Sequence, residues 1–184
     1  MTDAAKERAS LLERLHQDTA GGLLDYFSRR VDSRDDAADL LSETFLVAWR
    51  QSAKVPSTED EARMWMYGVA RKVLANWSRG RRRRTALADS LKAHLAHSRP
   101  AAEAPGPEAV DIRRAVRALP SNQRELVMLV YWDGFSIVEA GTILGLSEST
   151  VRGRHQRARA RLSEALGPST RLTSVVAITA KGTT

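Results

Sequence analysis

The chain has 184 residues, with 29 lysines and arginines against 22 acidic residues and no cysteine. That length suits one large domain or two small ones, and the lack of thiols excludes disulfides, thiol chemistry and the usual cysteine-based zinc sites. A net charge of +7 and a pI near 10.3 point to a polyanionic partner, with nucleic acid the first candidate.

The opening MTDAAKERASLLERL shows no secretory pattern, and no apolar run reaches bilayer length, so a cytoplasmic protein without a membrane partner is expected. The four histidines are scattered, and neither a metal nor a cofactor is expected. Strand signals are weak outside Thr173 to Thr179, while alanine, leucine and arginine dominate. An all-α fold follows.

Residues 6–30 read as helical, with Leu11, Leu12, Leu15, Leu23, Leu24 and Phe27 apolar. Gly21-Gly22 predicts a bend or break, since each interior glycine costs about 1 kcal/mol against alanine. Val31 to Ser33 reads as a turn in which Asp32 or Ser33 caps a helix over 34–50. Ala37, Leu40, Leu41, Thr44, Phe45, Ala48 and Trp49 keep the spacing of a core face. Asp35, Asp36, Asp39 and Glu43 gather near its start. The helix dipole favours such charges by a few tenths of a kcal/mol, about 0.3 to 1 each. A solvated acidic turn and a docking surface both fit them, and the basic remainder of the chain makes docking the sharper reading.

Gln51 to Glu61 is a polar loop interrupted by Pro56, in which Ser57 or Thr58 can cap the next helix, 62–79. Met66, Ala70, Val73, Leu74 and Trp77 fall on its core side. Lys72, Asn76 and Arg79 share the other, with Trp65 at the boundary. Aromatics interleaved with cations suit unstacked bases, because a ring stacks on any base while cations track the backbone. Trp65 and Tyr67 fit either a core or a base platform, and Trp77 fits the core better. Arg81, Arg82, Arg83 and Arg84 repel one another and cannot share one helix face. Beside an aromatic helix they read as phosphate contacts.

Composition shifts at Thr85 to Val110, which is rich in alanine, proline and glycine and holds Pro100, Pro105 and Pro107. It reads as a flexible linker with a short helix near Ala86 to His97. His94 and His97 within it lack a third metal ligand. The expected organisation is two small helical domains, 1–84 and 111–167, joined by the linker 85–110 and followed by a tail, 168–184. In the second domain, Ile112, Val116 and Leu119 face inward, Pro120 closes that helix, and Ser121 caps SNQRELVMLVYWDG.

Two helix starts follow in close order. Ser136 with Glu139 makes a capping box, flanked by Phe135 and Ala140 in staple positions. Gly145 should end that helix in the left-handed region, and Ser147 should open the next, with Leu146 and Val151 as its staple. This is helix-turn-helix spacing, with Gly141 small enough for close helix contact. Projection puts Val151, His155, Ala158 and Leu162 on a buried face. Ser149, Arg152, Gly153, Gln156 and Arg157 lie opposite, where arginine can read guanine and glutamine adenine. Arg154, Arg159 and Arg161 fall further round and suit phosphate contacts or structural ion pairs.

No nucleophile–base pair or phosphate-binding glycine loop is visible, so an enzyme is not expected. A helix-turn-helix regulator of duplex DNA and, with less support, a basic RNA-binding protein remain open on the residues alone.

Three blocks give the chain a family likeness: DDAADLLSETFLVAWR (35–50), ARMWMYGVARKVLANWSRGRRRR (62–84) and LPSNQRELVMLVYWDGFSIVEAGTILGLSESTVRGRHQRARARL (119–162). In order and spacing they resemble the extracytoplasmic-function sigma factors, minimal bacterial sigma subunits with regions 2 and 4 joined by a linker. The resemblance implies a region 2 helical bundle and a region 4 helix-turn-helix, monomeric within the RNA polymerase holoenzyme. It implies that Asp36, Asp39, Leu40, Glu43 and Phe45 meet the β′ coiled coil of the core enzyme, with the β subunit a further contact. The Pro56 loop would capture a flipped base of the −10 element. Trp65, Lys72, Asn76 and Arg79 would contact or open that element, and Arg81 to Arg84 would meet its backbone. Ser149, Arg152, Gly153, Gln156 and Arg157 would read the −35 element, with Arg154 and Arg159 on phosphates. The linker would run toward the active site and RNA exit channel, and an anti-sigma factor is a further partner such a protein can have. The chain departs from the family pattern at Gly141, often alanine, at Gly153, commonly serine, and at His155, usually apolar.

Overall fold

The structure, a computed structural model, describes residues 3–92 and 107–166. Side chains are described for 10–83 and 112–166. The proline-rich part of the expected linker, His94, His97 and the tail with its Thr173–Thr179 strand signal lie outside them. Among the described residues there are seven α-helices, one 3-10 turn and no strand. The chain divides into two compact units, Met1–Arg99 and Pro100–Thr184.

The first unit packs α1 (Asp3–Ser28), α2 (Arg34–Arg50) and α3 (Glu59–Lys92) against one another, with a 3-10 turn, Ser52–Lys54, between the last two. Leu23, Tyr26 and Phe27 of α1 are fully buried against Ala37, Leu40 and Ala48 of α2 and Met66, Tyr67 and Ala70 of α3. Each large apolar side chain removed from water in this way contributes about 1.5–3 kcal/mol. Thr44, also buried, donates its hydroxyl hydrogen to the Leu40 carbonyl at 2.7 Å and so carries no unpaired donor into the core.

Of the bend or break expected at Gly21-Gly22, the break does not occur, and α1 is continuous through it. The reason for glycine there is contact. A Cβ at Gly22 would stand 2.6 Å from the hydroxyl oxygen of buried Tyr67 on α3. Packing against α3 therefore outweighs the local entropy cost of the glycine pair.

Ser33 caps α2 as expected, accepting the amide hydrogens of Asp35 at 3.1 Å and Asp36 at 3.4 Å. α3 opens at Thr58, whose hydroxyl donates to the Glu61 carboxylate at 2.8 Å, and it runs 34 residues, well past the expected end at Arg79. Gly80 alone does not stop it, because the arginine, alanine and leucine that follow are good helix formers and no proline intervenes. Residues 85–92, expected as the start of the linker, are thus helical.

The second unit holds α4 (Pro107–Ala118), α5 (Ser121–Tyr131), α6 (Ile137–Leu144) and α7 (Glu148–Leu166). Ile112, Val116 and Leu119 join Val127, Ala158 and Leu162 in one cluster, with Trp132 and Leu166 packed on its edge. Ser121 does not cap α5. Pro120 occupies that position and offers only its carbonyl, which accepts from Gln123 N–H and Arg124 N–H at 2.9 Å each. The end of α4 is satisfied instead by the Arg124 guanidinium, which donates to the carbonyls of Arg117 and, at 2.9 Å, Leu119.

Candidate functional site

The helix-turn-helix forms as its residues dictate. Ser136 and Glu139 make both bonds of the capping box, Glu139 N–H to Ser136 Oγ at 3.2 Å and Ser136 N–H to Glu139 Oε2 at 2.7 Å. Gly145 ends α6 at φ 67°, where glycine carries no Cβ penalty. The Leu146 amide returns to the Gly141 carbonyl and the Gly145 amide to that of Thr142, a Schellman ending. Residues 145–147 then turn the chain into α7, where Ser147 Oγ accepts from the Thr150 amide at 3.4 Å.

Gly141 sets how closely the two helices approach. A Cβ there would lie 2.9 Å from Cγ1 of Val151, which is fully buried. Alanine, which the resembling family often has here, would require Val151 to move. The departure is therefore part of this chain's own packing.

The buried face of α7 consists of Val151, His155, Ala158 and Leu162, the four expected. His155 Nε2 lies 3.2 Å from the Tyr131 hydroxyl, with the two rings stacked. Burial, and then the Arg159 charge, push the His155 pKa below the ordinary histidine value. Burial raises that of Tyr131, against a smaller opposing effect of Arg159. Both shifts favour a neutral pair in which tyrosine donates to imidazole.

Ser149, Arg152, Gln156, Arg157 and Arg159 are exposed on the remaining surface of α7, and Gly153 and Arg154 are half-buried. A Cβ at Gly153 would stand 3.7 Å from Nη1 of Arg157, an ordinary contact, so a small side chain would also fit there. Arg161 is held structurally, donating to Oε1 of buried Gln123 on α5 at 3.1 Å. Arg152 reaches back one turn to Glu148, with Nε at 2.8 Å and Nη2 at 2.6 Å from the same carboxylate oxygen. The only sequence signal for Glu148 is its place four residues before Arg152 on one helix, and it was not among the expected site residues.

In the first unit, α3 gathers a second cationic surface. At 100° per residue Trp65, Lys72, Asn76, Arg79 and Arg83 fall within one narrow stripe. Trp65 is half-buried and the other four are exposed, and Arg79 donates to the Asn76 side-chain oxygen. Pro56 is half-buried in the loop before α3. The arginine block divides as its crowding requires. Arg81, Arg82 and Arg83 are all exposed, and Arg81 lies on the opposite side from Arg83, 3.1 Å from Asp32 and over the ring of Trp77 at 5.3 Å. Arg81, an expected phosphate contact, pairs with the α1–α2 turn while staying exposed. The side chain of Arg84 lies outside the described set. Tyr67 is a core residue, edge-on to Tyr26 at 5.5 Å, which rules it out as a base platform, and Trp77 is half-buried.

The acidic helix α2 presents a third surface. Asp39 and Glu43 are exposed, Asp36 is half-buried, and Phe45 is half-buried against the His16 ring at 4.5 Å. Leu40, expected to meet a partner, is 3% exposed and belongs to the core, so it shapes the surface from beneath. Trp49, expected in the core, is 61% exposed, and Leu46 is 52% exposed. Asp39, Glu43, Leu46 and Trp49 follow one another at helical spacing along a single side of α2. An apolar pair standing in water beside carboxylates is the composition of a protein-docking surface. Among the described residues no metal-binding cluster occurs and no helix is long and apolar enough to cross a membrane.

The family profile for sigma-70 region 2 matches residues 15–84, and that for sigma-70, region 4, matches residues 109–162. The ECF RNA polymerase sigma factor SigF of Caulobacter vibrioides is 33% identical over 181 residues, covering 89% of this chain and 96% of its own. EcfG of Rhodopseudomonas palustris is 34% identical over 134 residues, 72% of each chain. SigL of Mycobacterium tuberculosis is 28% identical over 162 residues, 87% of this chain and 92% of its own. Among solved structures, the sigma factor RpoE of Bartonella quintana, in complex with the anti-sigma factor NepR, matches at TM-score 0.60 and 25% identity. The match covers 92% of this chain and all of that one. CnrH, in complex with the cytosolic domain of CnrY, shares the fold at TM-score 0.62 and 22% identity, over 91% of this chain and 96% of that one.

Proposed function

Because this chain belongs to the extracytoplasmic-function group of sigma-70 RNA polymerase sigma factors, we propose that it docks on the core enzyme through α2 and reads promoter DNA through α7 and α3. The observation that carries this reading is the chemical contrast between the exposed faces. α2 shows carboxylates with Leu46 and Trp49, and α7 shows arginines with no large apolar group.

On the core enzyme, Asp39, Glu43, Leu46 and Trp49 form the contact, flanked by Asp36 and Phe45, with the β′ coiled coil as the surface met. Trp49 is its anchor, since a large ring moved from water into a pocket dominates such interfaces. On duplex DNA, Ser149, Arg152, Gly153, Gln156 and Arg157 face the −35 base edges, while Arg154 and Arg159 meet phosphates. On melted DNA, the stripe of Trp65, Lys72, Asn76, Arg79 and Arg83, with the Pro56 loop, holds the −10 strand. Bases trapped there offset the few kcal/mol, about 2 to 4, that unstacking costs. The first unit carries the core-binding and −10 surfaces and the second the −35 surface, in line with the region 2 match over 15–84 and the region 4 match over 109–162. An anti-sigma factor would act by covering α2, where Leu46 and Trp49 are the most exposed large apolar groups among the described residues.

Run-off transcription by bacterial core polymerase, with and without the full chain, tests the proposal. The chain should select a discrete start site on a responsive promoter. Unchanged start-site choice at saturating protein would contradict it.

A further inference from the structure

On the reading of α7 as the duplex-reading helix, we infer that Glu148 sets a base preference by fixing the direction of Arg152. Glu148 opens α7, and its Oε1 accepts from both Nε at 2.8 Å and Nη2 at 2.6 Å of Arg152 one turn later. Guanidinium has five N–H donors in a planar fork. The carboxylate takes one edge of that fork, and the donors left over point away from it in the guanidinium plane.

A carboxylate at the leading end of an arginine-rich helix repels every phosphate, so Glu148 lowers affinity for any duplex whatever its sequence. The helix dipole favours an acid in the first turn, but an acid placed for the dipole alone would leave Arg152 free to swing. A free arginine on a flexible stem finds phosphates, which are everywhere along DNA. Held by Glu148 it is neutralised on one side, and its remaining donors suit a fixed acceptor pair such as O6 and N7 of guanine. Arg154, Arg157 and Arg159 keep the cationic charge. Glu148 is thus a positioning residue that turns Arg152 from a phosphate contact into a base reader.

The test compares the full chain as wild type, E148Q, R152A and the double variant. Each is incubated with a pool of short duplexes carrying a randomised window, and its affinity for an unrelated duplex is measured over a range of salt. Wild type should enrich a motif. E148Q should flatten one base pair of it about tenfold while leaving the others. E148Q should also bind unrelated duplex more tightly, with a salt slope steeper by about one ion. R152A should flatten the same base pair, and the double variant should match R152A. An E148Q motif identical to wild type would overturn the inference while leaving the DNA-reading role of α7 intact. So would an effect at a different base pair that adds to R152A, which would make Glu148 itself the reader. A wild-type chain that enriches no motif would overturn that role and the inference together. Melting and helicity of E148Q should match wild type, since the pair is exposed and surface pairs of this kind add little to stability.

Discussion

α2 and α7 are both single amphipathic helices with one buried face, yet their exposed faces have opposite chemistry. α7 buries Val151, His155, Ala158 and Leu162 and leaves only polar and small residues outside. α2 buries Ala37, Leu40, Thr44 and Ala48 and leaves Leu46 and Trp49 in water beside its carboxylates. A polyanion asks for fixed cations and close approach, whereas a protein partner asks for apolar area that costs solubility until it is covered. On the proposed reading, this difference separates the partners of the two helices more sharply than net charge does.

The sharpest way to break the contrast is to exchange core for surface on α2. Leu40→Ala should cost about 2–5 kcal/mol of stability by opening a cavity in the first unit. Trp49→Ala should leave thermal unfolding near wild type while weakening capture of core polymerase by about 2–4 kcal/mol. Calorimetry and a polymerase-binding titration separate the two. Equal losses in both assays for Trp49→Ala would place that ring in the core after all.

A smaller lesion belongs to α7. Arg157→Ala should weaken binding to a −35 duplex by about 1–3 kcal/mol and relax preference at one base pair. A uniform loss on all sequences would make Arg157 a phosphate contact. Reversing Asp36 and Asp39 to lysine should impair polymerase capture and leave duplex affinity unreduced. A parallel fall in duplex affinity would show that the two faces are not separate.

The smallest effect concerns His155. Its pKa is lowered on folding, so between that value and the unfolded one near 6.5 the unfolded chain binds more protons. The stability of the second unit is therefore full above about pH 6.5 and declines as pH falls through that window. His155→Leu should remove this dependence while losing the Tyr131 hydrogen bond, worth about 1 kcal/mol. Denaturant midpoints at pH 5 and pH 8 would converge in the variant. If the wild-type midpoints already coincide, the imidazole titrates as it would in the unfolded chain.

The same contrast shows what the sequence could reveal. The helix-turn-helix was legible almost residue by residue, because capping, a left-handed glycine and a 3.6-residue period are local rules that leave local marks. Gly22 was misread for the opposite reason: its purpose is the Tyr67 hydroxyl on another helix. Trp49 was misread because an apolar residue at core spacing looks the same whether its partner is this chain or another. The run to Lys92 joins the helix expected to end at Arg79 to the short one expected near Ala86, because no proline separates them. Arg161 carries a charge whose partner, Gln123, only the folded chain reveals, whereas Glu148 and Arg152 stand at i, i+4 on one helix, a local spacing that was left unread.

The most direct test of the two-face account is the affinity of the full chain for bacterial core polymerase, compared between Trp49→Ala and Arg157→Ala. The account predicts a loss of about thirtyfold or more for Trp49→Ala, by the hot-spot magnitude above, and wild-type affinity for Arg157→Ala. Equal affinity for the two variants, or a larger loss for Arg157→Ala, would contradict it.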